Sequence, residues 1–388
     1  MKVKKVIVLL IVVMFTFNSS INKGGVYANN LYSEEYISKK EMQFMNNDYL
    51  GSSENDYKYK SGTIPVLISA PHSVKQYRNN TYKEADAYTG ALAKTLHKTT
   101  GAHVIYKTKV KGDENYTINE TAYRKKIKNI VKNNDIKVII DLHGMSSHRK
   151  SYIDIGTGNS SNINLLGQNY ILSLIKSSLS STNYSVNKYF KGGGPNTIST
   201  YCSKNLGVPT VQFEINGKYR STDSKKFTYM VNTLTKAINN LSKRAYIPEG
   251  KVVNVKKYIS LRSSKSSANN KNVIRKINAG SSVTILDNIN DVRKDNKWIR
   301  VKYNNKIGYV KSNYISLYKV GKIVNVNSSI RLRKNTNANS STVSRIPKGA
   351  YVNILKSGKI YKVKYNNRTG YINEKYIKWF NILKVKSI

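Results

Sequence analysis

Two histidines follow two short apolar runs of the sequence. His72 comes just after the run "TIPVLISA" at 63–70, and His143 lies near the end of "KVIIDLHG" at 137–144. Both runs have the length and the β-branched content of buried strands, and open α/β sheets bind ligands at the carboxyl ends of their strands. Two imidazoles at one edge can bind zinc, which in catalytic sites takes three protein ligands. This pattern predicts a zinc site containing His72 and His143.

A third ligand is expected in "YKEADAYTG", which offers Glu84 and Asp86 before the next helical pattern. Carboxylate oxygens are also zinc ligands, so either acid could complete the set. Each residue taken alone would more often be an ordinary polar residue at a strand or helix end. The three ligand-type residues together favour a metal.

Hydrolysis of an amide at one zinc ion requires a carboxylate that takes a proton from the attacking water and passes it to the leaving amine. Glu214 lies near the end of the apolar run "VPTVQFEI" at 208–215, so it is predicted to lie at the same edge of the sheet. A strand-end ion pair with Lys218 or Arg220 is the alternative interpretation. Because the predicted zinc ligands are expected at the same edge, we favour the role of catalytic base for Glu214.

These residues require a domain that brings strand ends together. Residues 61–245 alternate between apolar runs and segments with apolar residues at helical spacing, which predicts an α/β domain whose mainly parallel sheet is flanked by helices. The predicted strands are 63–70, 103–108, 137–144 and 208–215, and the predicted helices are 84–101, 120–134 and 223–243.

The N-terminus has the pattern of an export signal. Three lysines precede an apolar run at 6–17 that is too short to span a bilayer and typical of a signal peptide, and Val26-Tyr27-Ala28 offers a cleavage site. We therefore predict a signal peptide at 1–28, a secreted protein, and no transmembrane segment in the mature chain. The polar, Asn-rich residues 29–60 predict a linker.

The C-terminal third of the chain repeats itself. "GKVVNV" at 250–255 recurs as "GKIVNV" at 321–326, and "VKYNNKIGYV" recurs as "VKYNNRTGYI". The short strands and turns of each copy predict a small all-β barrel. Two such domains are expected, at 250–317 and 321–379, with an extra hairpin around 287–297 in the first.

The net charge indicates which partners the chain could bind, and the cysteine content excludes some kinds of site. The chain carries 66 Lys and Arg against 21 Asp and Glu, a formal net charge of +45. Such a surface attracts polyanions, and for an exported protein a cell-wall polymer is favoured over nucleic acid, for which no binding motif is present. Cys202 is the single cysteine, which excludes an intramolecular disulfide and a four-thiolate zinc site.

The two C-terminal copies resemble bacterial SH3-like domains, which carry a Leu-Arg near the first strand and a late Val-Lys-Tyr hairpin that ends in Gly-Tyr-Val. This resemblance implies that they hold the chain on peptidoglycan; the alternative is a structural spacer.

Seven segments of the first domain, in order, resemble the N-formylglutamate amidohydrolase-like family, which is similar to zinc carboxypeptidases in fold and site. They are "APHSV", "ADAYTGALA", "GAHVIYKT", "AYRKKI", "IIDLHGMS", "DIGTG" and "VQFEINGKYR". The resemblance implies a zinc ion held by His72, His143 and an acid of "EADAYT", with Asp86 the first choice and Glu84 the second. Lys75 stands where carboxypeptidases have the Glu of His-x-x-Glu.

The same resemblance assigns roles to further residues. It implies that Glu214, in the Glu-Ile-Asn motif, is the catalytic carboxylate. Arg124 and Arg220 are the candidates by motif position for binding a substrate carboxylate, with Arg149 a weaker third, because a bidentate arginine is the best fixed cation for that group.

Together these features predict an exported, wall-associated zinc amidohydrolase or peptidase. Its substrate would be a glutamyl, N-acyl amino acid or muropeptide amide bond. Two alternatives remain open: a non-catalytic peptidoglycan-binding surface protein or adhesin, and a cationic protein that acts on anionic lipid or polymer.

Overall fold

Alternating strands and helices form the first part of the computed structural model, which describes residues 31–51, 54–158, 170–287 and 289–380. The helices are α1 Glu34–Tyr49, α2 Thr89–Thr100, α3 Ala122–Asn133, α4 Tyr170–Ser178, α5 Ile198–Asn205 and α6 Ser224–Arg244. The strands are β1 Tyr57–Lys60, β2 Ile64–Ala70, β3 Gln76–Arg78, β4 Thr81–Lys83, β5 Ala102–Lys107, β6 Val138–Met145, β7 Ile153–Gly156, β8 Tyr184–Val186 and β9 Thr210–Asn216.

Seven of these strands form one sheet in the order β1-β5-β2-β6-β9-β7-β8, and β3 pairs with β4 in a separate hairpin. The pairs β2–β5, β2–β6, β6–β9 and β7–β8 are parallel, whereas β1–β5 and β7–β9 are antiparallel. The sheet is therefore mixed, with a parallel centre. Because β2, β6 and β9 are neighbours, their carboxyl ends meet at one edge.

Two apolar clusters cover the two faces of the sheet. Ile68 and Ile140 pack in the cluster that includes α2, α4 and α6, whereas Leu67 and Ile139 pack in the cluster that includes α3 and α5. Alternate side chains of a strand point to opposite faces, so the continuous apolar runs predicted from the sequence serve both layers. The first domain thus has the predicted helix–sheet–helix layering.

The predicted linker at 29–60 is wrong for its described part. Ser33 caps α1 by accepting a hydrogen bond from the Tyr36 amide, and Ile37 and Phe44 are buried against the sheet domain. β1 pairs with β5. Few side chains of α1 are buried, so its sequence is mostly polar and did not show a helical apolar pattern. The predicted signal peptide lies outside the described residues, and within those residues no helix is both long and apolar enough to cross a membrane.

The C-terminal repeats form two antiparallel sheets of the same design, as the repeat predicted. The first module contains β10 Glu249–Val252, β11 Tyr258–Arg262, β12 Val273–Asn278, β13 Ser282–Ile285, β14 Trp298–Tyr303, β15 Lys306–Lys311 and β16 Ile315–Leu317. The second module contains β17 Lys319–Ile323, β18 Ser329–Arg333, β19 Thr342–Pro347, β20 Tyr351–Lys356, β21 Ile360–Tyr365, β22 Arg368–Asn373 and β23 Ile377–Phe380. Their strand orders, β12-β11-β15-β14-β13-β10-β16 and β19-β18-β22-β21-β20-β17-β23, are equivalent. In place of the extra hairpin, the first module has a short helix, α7 Ile289–Val292.

The second module packs into the α/β domain. Val320 belongs to the apolar cluster of α2, α4 and α6, and Tyr351 and Phe380 pack against the same cluster. Lys364 of the second module also contacts the first module, since its Nζ lies 2.8 Å from Oε1 of Glu249 in β10. The two units therefore share one core rather than meeting only through surface polar contacts.

Candidate metal centre and active site

The predicted metal ligands meet at the carboxyl edge of the sheet. The ligand atoms of His72, Asp86 and His143 all lie within 4.8 Å of one another. Asp86 Oδ2 is 3.1 Å from His143 Nδ1 and 3.5 Å from His72 Nδ1. His143 lies on β6 itself, whereas His72 and Asp86 come from the connections that follow β2 and precede α2. Both imidazoles thus turn the same nitrogen, Nδ1, towards one carboxylate.

The far nitrogen of each ring also has a carboxylate partner. His72 Nε2 is 3.1 Å from Asp113 Oδ1, and His143 Nε2 is 3.2 Å from Asp141 Oδ2. The Asp113 and Asp141 side chains are 1% and 0% exposed. An Nε2–H that donates to a carboxylate leaves the Nδ1 lone pair free for a metal, an arrangement that orients many metal-binding histidines.

Sequence reasoning missed Asp113 and the nearby Asn115. The side-chain nitrogen of Asn115, Nδ2, lies 3.3 Å from His143 Nε2. Both residues belong to "GDENYT", a loop between β5 and α3 without periodicity. The only available signal was a group of polar residues that follows another predicted strand of the same sheet.

The acids of this cluster control the protonation of the imidazoles. Burial disfavours a charged His143, but the nearby Asp141 carboxylate and the hydrogen bonds with Asp141 and Asp86 raise its pKa well above the ordinary value. Burial likewise opposes protonation of His72, but hydrogen bonds with Asp113 and Asp86 raise its pKa. Burial alone would raise the pKa of Asp86, but hydrogen bonds from the two histidines lower it.

This donor set suits a zinc ion. Two imidazole nitrogens and one carboxylate oxygen are ligand types found in catalytic zinc sites, with the remaining position left for water or substrate. With neutral imidazoles the cluster holds the negative charges of Asp86, Asp113 and Asp141, all largely buried. A divalent cation would compensate that charge where solvent does not.

Asp86 lies in this cluster, and Glu84 does not. The Glu84 side chain is 83% exposed, and its Oε1 lies 3.7 Å from Lys75 Nζ. Lys75 also contacts the Asp48 carboxylate. Lys75, which stands at the expected Glu position of the carboxypeptidase motif, is therefore engaged with two acids that lie away from the histidines.

Glu214 lies beside the predicted metal ligands, on the strand next to β6. It is directly opposite His143 in the β6–β9 register and is buried. Burial, reinforced by the nearby Asp86 charge, raises the pKa of Glu214 to about 7. A carboxyl group with such a pKa can exchange a proton near neutral pH, as general acid–base catalysis requires.

Gln212 supports Glu214 from two residues away on β9. Its side-chain nitrogen donates a hydrogen bond to Glu214 Oε1. The glycine-rich segment at 192–194 packs against it: a Cβ on Gly192, whose φ is 67°, would lie 2.8 Å from Gln212 Oε1. A side chain at Gly192 would therefore disturb the group that holds Glu214.

Arg220 is bound to main-chain carbonyls. Its Nε donates to the Ile215 oxygen at 2.9 Å, Nη2 donates to the Met145 oxygen at 3.1 Å, and Nη1 donates to the Ala87 oxygen. The guanidinium therefore ties the ends of β6 and β9 to the segment that carries the third predicted ligand. Its predicted contact with a substrate stays a prediction.

Arg124 is held in a similar way. Its Nη2 donates to the Glu114 oxygen at 2.7 Å and to the Asn196 oxygen, and its Nη1 donates to the Asn119 oxygen at 3.4 Å. Tyr201 lies against the guanidinium, with the ring centroid 5.1 Å from Cζ. Arg124 thus joins the loop after β5 to the loop before α5, and its substrate contact likewise stays a prediction.

Comparison with known proteins identifies part of the chain. Residues 258–316 match the bacterial SH3 domain family. The first module is therefore an SH3 module, and the second has an equivalent strand order. No curated protein matches the chain.

Several solved structures are similar to this chain, among them an amidohydrolase, a poly-gamma-glutamate hydrolase and a cell shape determinant. The N-formylglutamate amidohydrolase of Ralstonia eutropha is 11% identical, with 48% of this chain and 97% of that chain covered and a TM-score of 0.34. A bacteriophage poly-gamma-glutamate hydrolase is 15% identical, with 48% and 88% covered and a TM-score of 0.33. The cell shape determinant Csd4 of Helicobacter pylori is 13% identical, with 81% and 98% covered and a TM-score of 0.31.

Proposed function

We propose that this protein is a zinc-dependent amidohydrolase or peptidase that cleaves a glutamyl, N-acyl amino acid or muropeptide amide bond. One observation carries the proposal. His72, Asp86 and His143 present ligand atoms within 4.8 Å of one another, and Glu214 lies opposite His143 on the adjacent strand.

The residues of the site divide into ligands and a base. His72, His143 and Asp86 would hold the zinc ion, which would polarise the scissile carbonyl and lower the pKa of the attacking water. Glu214 accepts the proton of that water and delivers it to the nitrogen of the leaving amine. The raised pKa of Glu214, about 7, favours both transfers near neutral pH.

The carboxylates outside the ligand set fix the rings. His72 Nε2 donates a hydrogen bond to Asp113 Oδ1, and Asp141 Oδ2 lies 3.2 Å from His143 Nε2, so a carboxylate beside each far nitrogen helps to direct both Nδ1 atoms at Asp86. Because these carboxylates are buried, they would also increase the electron density that the imidazoles donate. They are positioning residues, since neither contacts a reacting atom.

Metal content and cleavage together test this proposal. We expect purified protein to hold about one zinc per chain, and wild type to cleave members of a library of N-acyl-glutamates and muropeptides analysed by mass spectrometry. A Glu214→Gln variant serves as the matched control, since it keeps the shape of the site but removes the base. Protein that binds zinc but cleaves no amide in the library would argue against the enzyme proposal.

We also propose that the protein is secreted and held at the cell wall through its SH3 modules. A cavity of about 450 Å³ on the first module supports this, since its lining includes Tyr258, Trp298 and Tyr314 together with Arg262 and Lys311. Aromatic rings beside cations suit peptide or glycan with acidic groups. The net charge of +45 favours anionic wall polymers in addition.

A non-catalytic peptidoglycan-binding surface protein is the second candidate. The match of residues 258–316 to the bacterial SH3 domain family favours it, since that match concerns binding modules and not the α/β domain. Such a protein would bind walls equally well without zinc. Undetectable zinc in active wall-binding preparations would favour this candidate over the hydrolase.

A further inference from the structure

A substrate that carries a carboxylate needs an accessible cation near the metal centre. Arg220 directs all three guanidinium nitrogens to main-chain carbonyl oxygens, and Arg124 directs Nη1 and Nη2 to three such oxygens, while its buried Nε has no hydrogen-bond partner among the described residues. Those bonds fix the walls of the site, and breaking them to bind a substrate would leave buried carbonyls unsatisfied. Another cation at the rim is therefore better suited to the task.

The β3–β4 hairpin supplies one. It is inserted in the chain between His72 and Asp86, and Arg78 is the last residue of β3. Arg78 Nη1 lies 3.3 Å from Asp113 Oδ2, and the other oxygen of Asp113 lies 3.1 Å from His72 Nε2. A single carboxylate therefore separates this guanidinium from a predicted metal ligand.

Arg78 is accessible, unlike the group it contacts. Its side chain is 39% exposed, whereas that of Asp113 is 1% exposed. A guanidinium has five N–H donors in a planar fork, and the nearest approach of Arg78 to Asp113 is through Nη1. Further donors therefore stay available for a second carboxylate, which a guanidinium can bind in bidentate fashion.

Aromatic side chains surround Arg78 at the rim. The ring of Tyr116 lies 5.5 Å from Arg78 Cζ, and the rings of Tyr77 and Tyr82 lie 5.2 Å apart on the hairpin. All three tyrosines are exposed. The Tyr77 amide donates to the Gly112 oxygen at 3.4 Å, which ties the hairpin to the loop that carries Asp113.

We infer that Arg78, with Tyr116 beside it, binds a free carboxylate of the substrate next to the scissile amide. The substrate class is then an acyl or peptidyl amide with an acidic group close to the cleaved bond. This inference rests on the proposed function, because it places a specificity-determining residue at the same site. The Tyr116 ring, 5.5 Å from Cζ, lies within cation–π distance of the guanidinium, whose charge selects an ionised ligand over a neutral one.

A matched pair of ligands tests the inference by binding, without the need for turnover. The pair is N-acetyl-L-glutamate and its neutral diamide, titrated by calorimetry into zinc-loaded full-length protein. We expect wild type to prefer the carboxylate ligand and Arg78→Ala to weaken its binding by about tenfold or more. Binding of the diamide should not change, and Arg78→Lys should fall between wild type and Arg78→Ala.

Lys111→Ala is the control, since Lys111 is an exposed cation near Asp113 in the chain that contacts Asp56 instead. It should bind both ligands as wild type does. Equal losses for both ligands in Arg78→Ala, loss of zinc from that variant, or no preference in wild type would overturn the inference. So would a selective loss produced by Arg149→Ala but not by Arg78→Ala.

The proposed function fails by a different result. Wild type that holds no zinc, or cleaves no amide, contradicts the hydrolase. Carboxylate preference and its loss in Arg78→Ala can then still be measured on the same full-length protein without metal.

Discussion

His143 on β6 and Glu214 on β9 lie directly opposite each other in a parallel strand pair. Residues paired in this way project from the same face of a sheet, so the register alone puts a predicted metal ligand beside the predicted base. A slip of one residue would turn Glu214 to the other face. The predictions for the two histidines and for Glu214 depend on this arrangement.

Loss of either histidine should abolish tight zinc binding. His72→Ala and His143→Ala each remove one of three predicted ligands, so we expect zinc per chain to fall from about one to near zero after dialysis. Circular dichroism should show that both variants stay folded. Undiminished zinc in both folded variants would contradict the assigned ligands.

Glu214→Gln should separate metal binding from catalysis. The amide keeps the shape of the side chain but cannot accept a proton, so zinc content should persist while hydrolysis slows by about a hundredfold or more. In wild type, the rate should rise with pH as Glu214 loses its proton, and a bound zinc ion would move that rise below the pKa of about 7 that burial gives Glu214 in the metal-free site. A variant as fast as wild type would disprove the assigned base.

Zinc binding should weaken as the pH falls. The imidazoles must be neutral to bind a metal, and in its absence their carboxylate partners raise the pKa values of His72 and His143. Competition between zinc and protons should therefore lower the affinity by about tenfold or more per pH unit in acidic buffer. Titrations against a zinc chelator at several pH values measure this, and a pH-independent affinity would count against two histidine ligands.

The two C-terminal modules should differ in wall binding. Trp298 begins β14 in the first module, and Ile360 begins the equivalent β21 in the second. In full-length Glu214→Gln protein, Trp298→Ala should weaken sedimentation with purified peptidoglycan by about tenfold, whereas Ile360→Ala should not. The wall material is tested before and after removal of anionic polymers. If binding disappears after this removal and in moderate salt, the modules bind walls only through electrostatic attraction to anionic polymers, which contradicts specific peptidoglycan binding.

Glu41 should make stability depend on pH. Its buried carboxyl group accepts hydrogen bonds from the amides of Tyr88, at 2.6 Å, and Ala91, at 3.3 Å. Burial nevertheless raises its pKa from 4.5 to about 7. The folded protein then binds more protons than the unfolded chain between these values, so the free energy of unfolding falls as pH rises through this window, by about 3 kcal/mol in all.

Glu41→Gln is the matched variant, since its side chain does not titrate. Denaturant unfolding of both proteins at several pH values should show a smaller fall for the variant across that window. Parallel curves would contradict the raised pKa of Glu41.

The strands that the sequence predicted best are the central ones. β2, β6 and β9 are covered on both faces, so their apolar runs are continuous and their carboxyl ends could be placed together. β7 and β8 are short, and α1 buries only Ile37, Glu41 and Phe44, so none of these elements has a strong period. Local pattern could not reveal them.

The site followed the same rule. His72, Asp86 and His143 adjoin central strands, so their proximity could be predicted, whereas Asp113 reaches His72 from 41 residues away through an irregular loop. The arginines were assigned by motif position, but position does not reveal that carbonyl oxygens surround them. Such contacts depend on how loops fold over the sheet, which no periodicity encodes.

Val320, Tyr351 and Phe380 pack the second module into the core of the α/β domain. We expect the two units to move as one body, in contrast to domains joined by a flexible tether, whose reach varies with its length. The first module contacts the same body, since Lys302 Nζ donates to the Leu206 oxygen at 3.2 Å and Glu249 pairs with Lys364 of the second module. A polymer strand held on the first module would then meet the predicted metal centre at a fixed offset from its point of attachment. Cleavage sites would then lie at a constant distance from each position where the polymer is bound. With a flexible tether, that distance would vary.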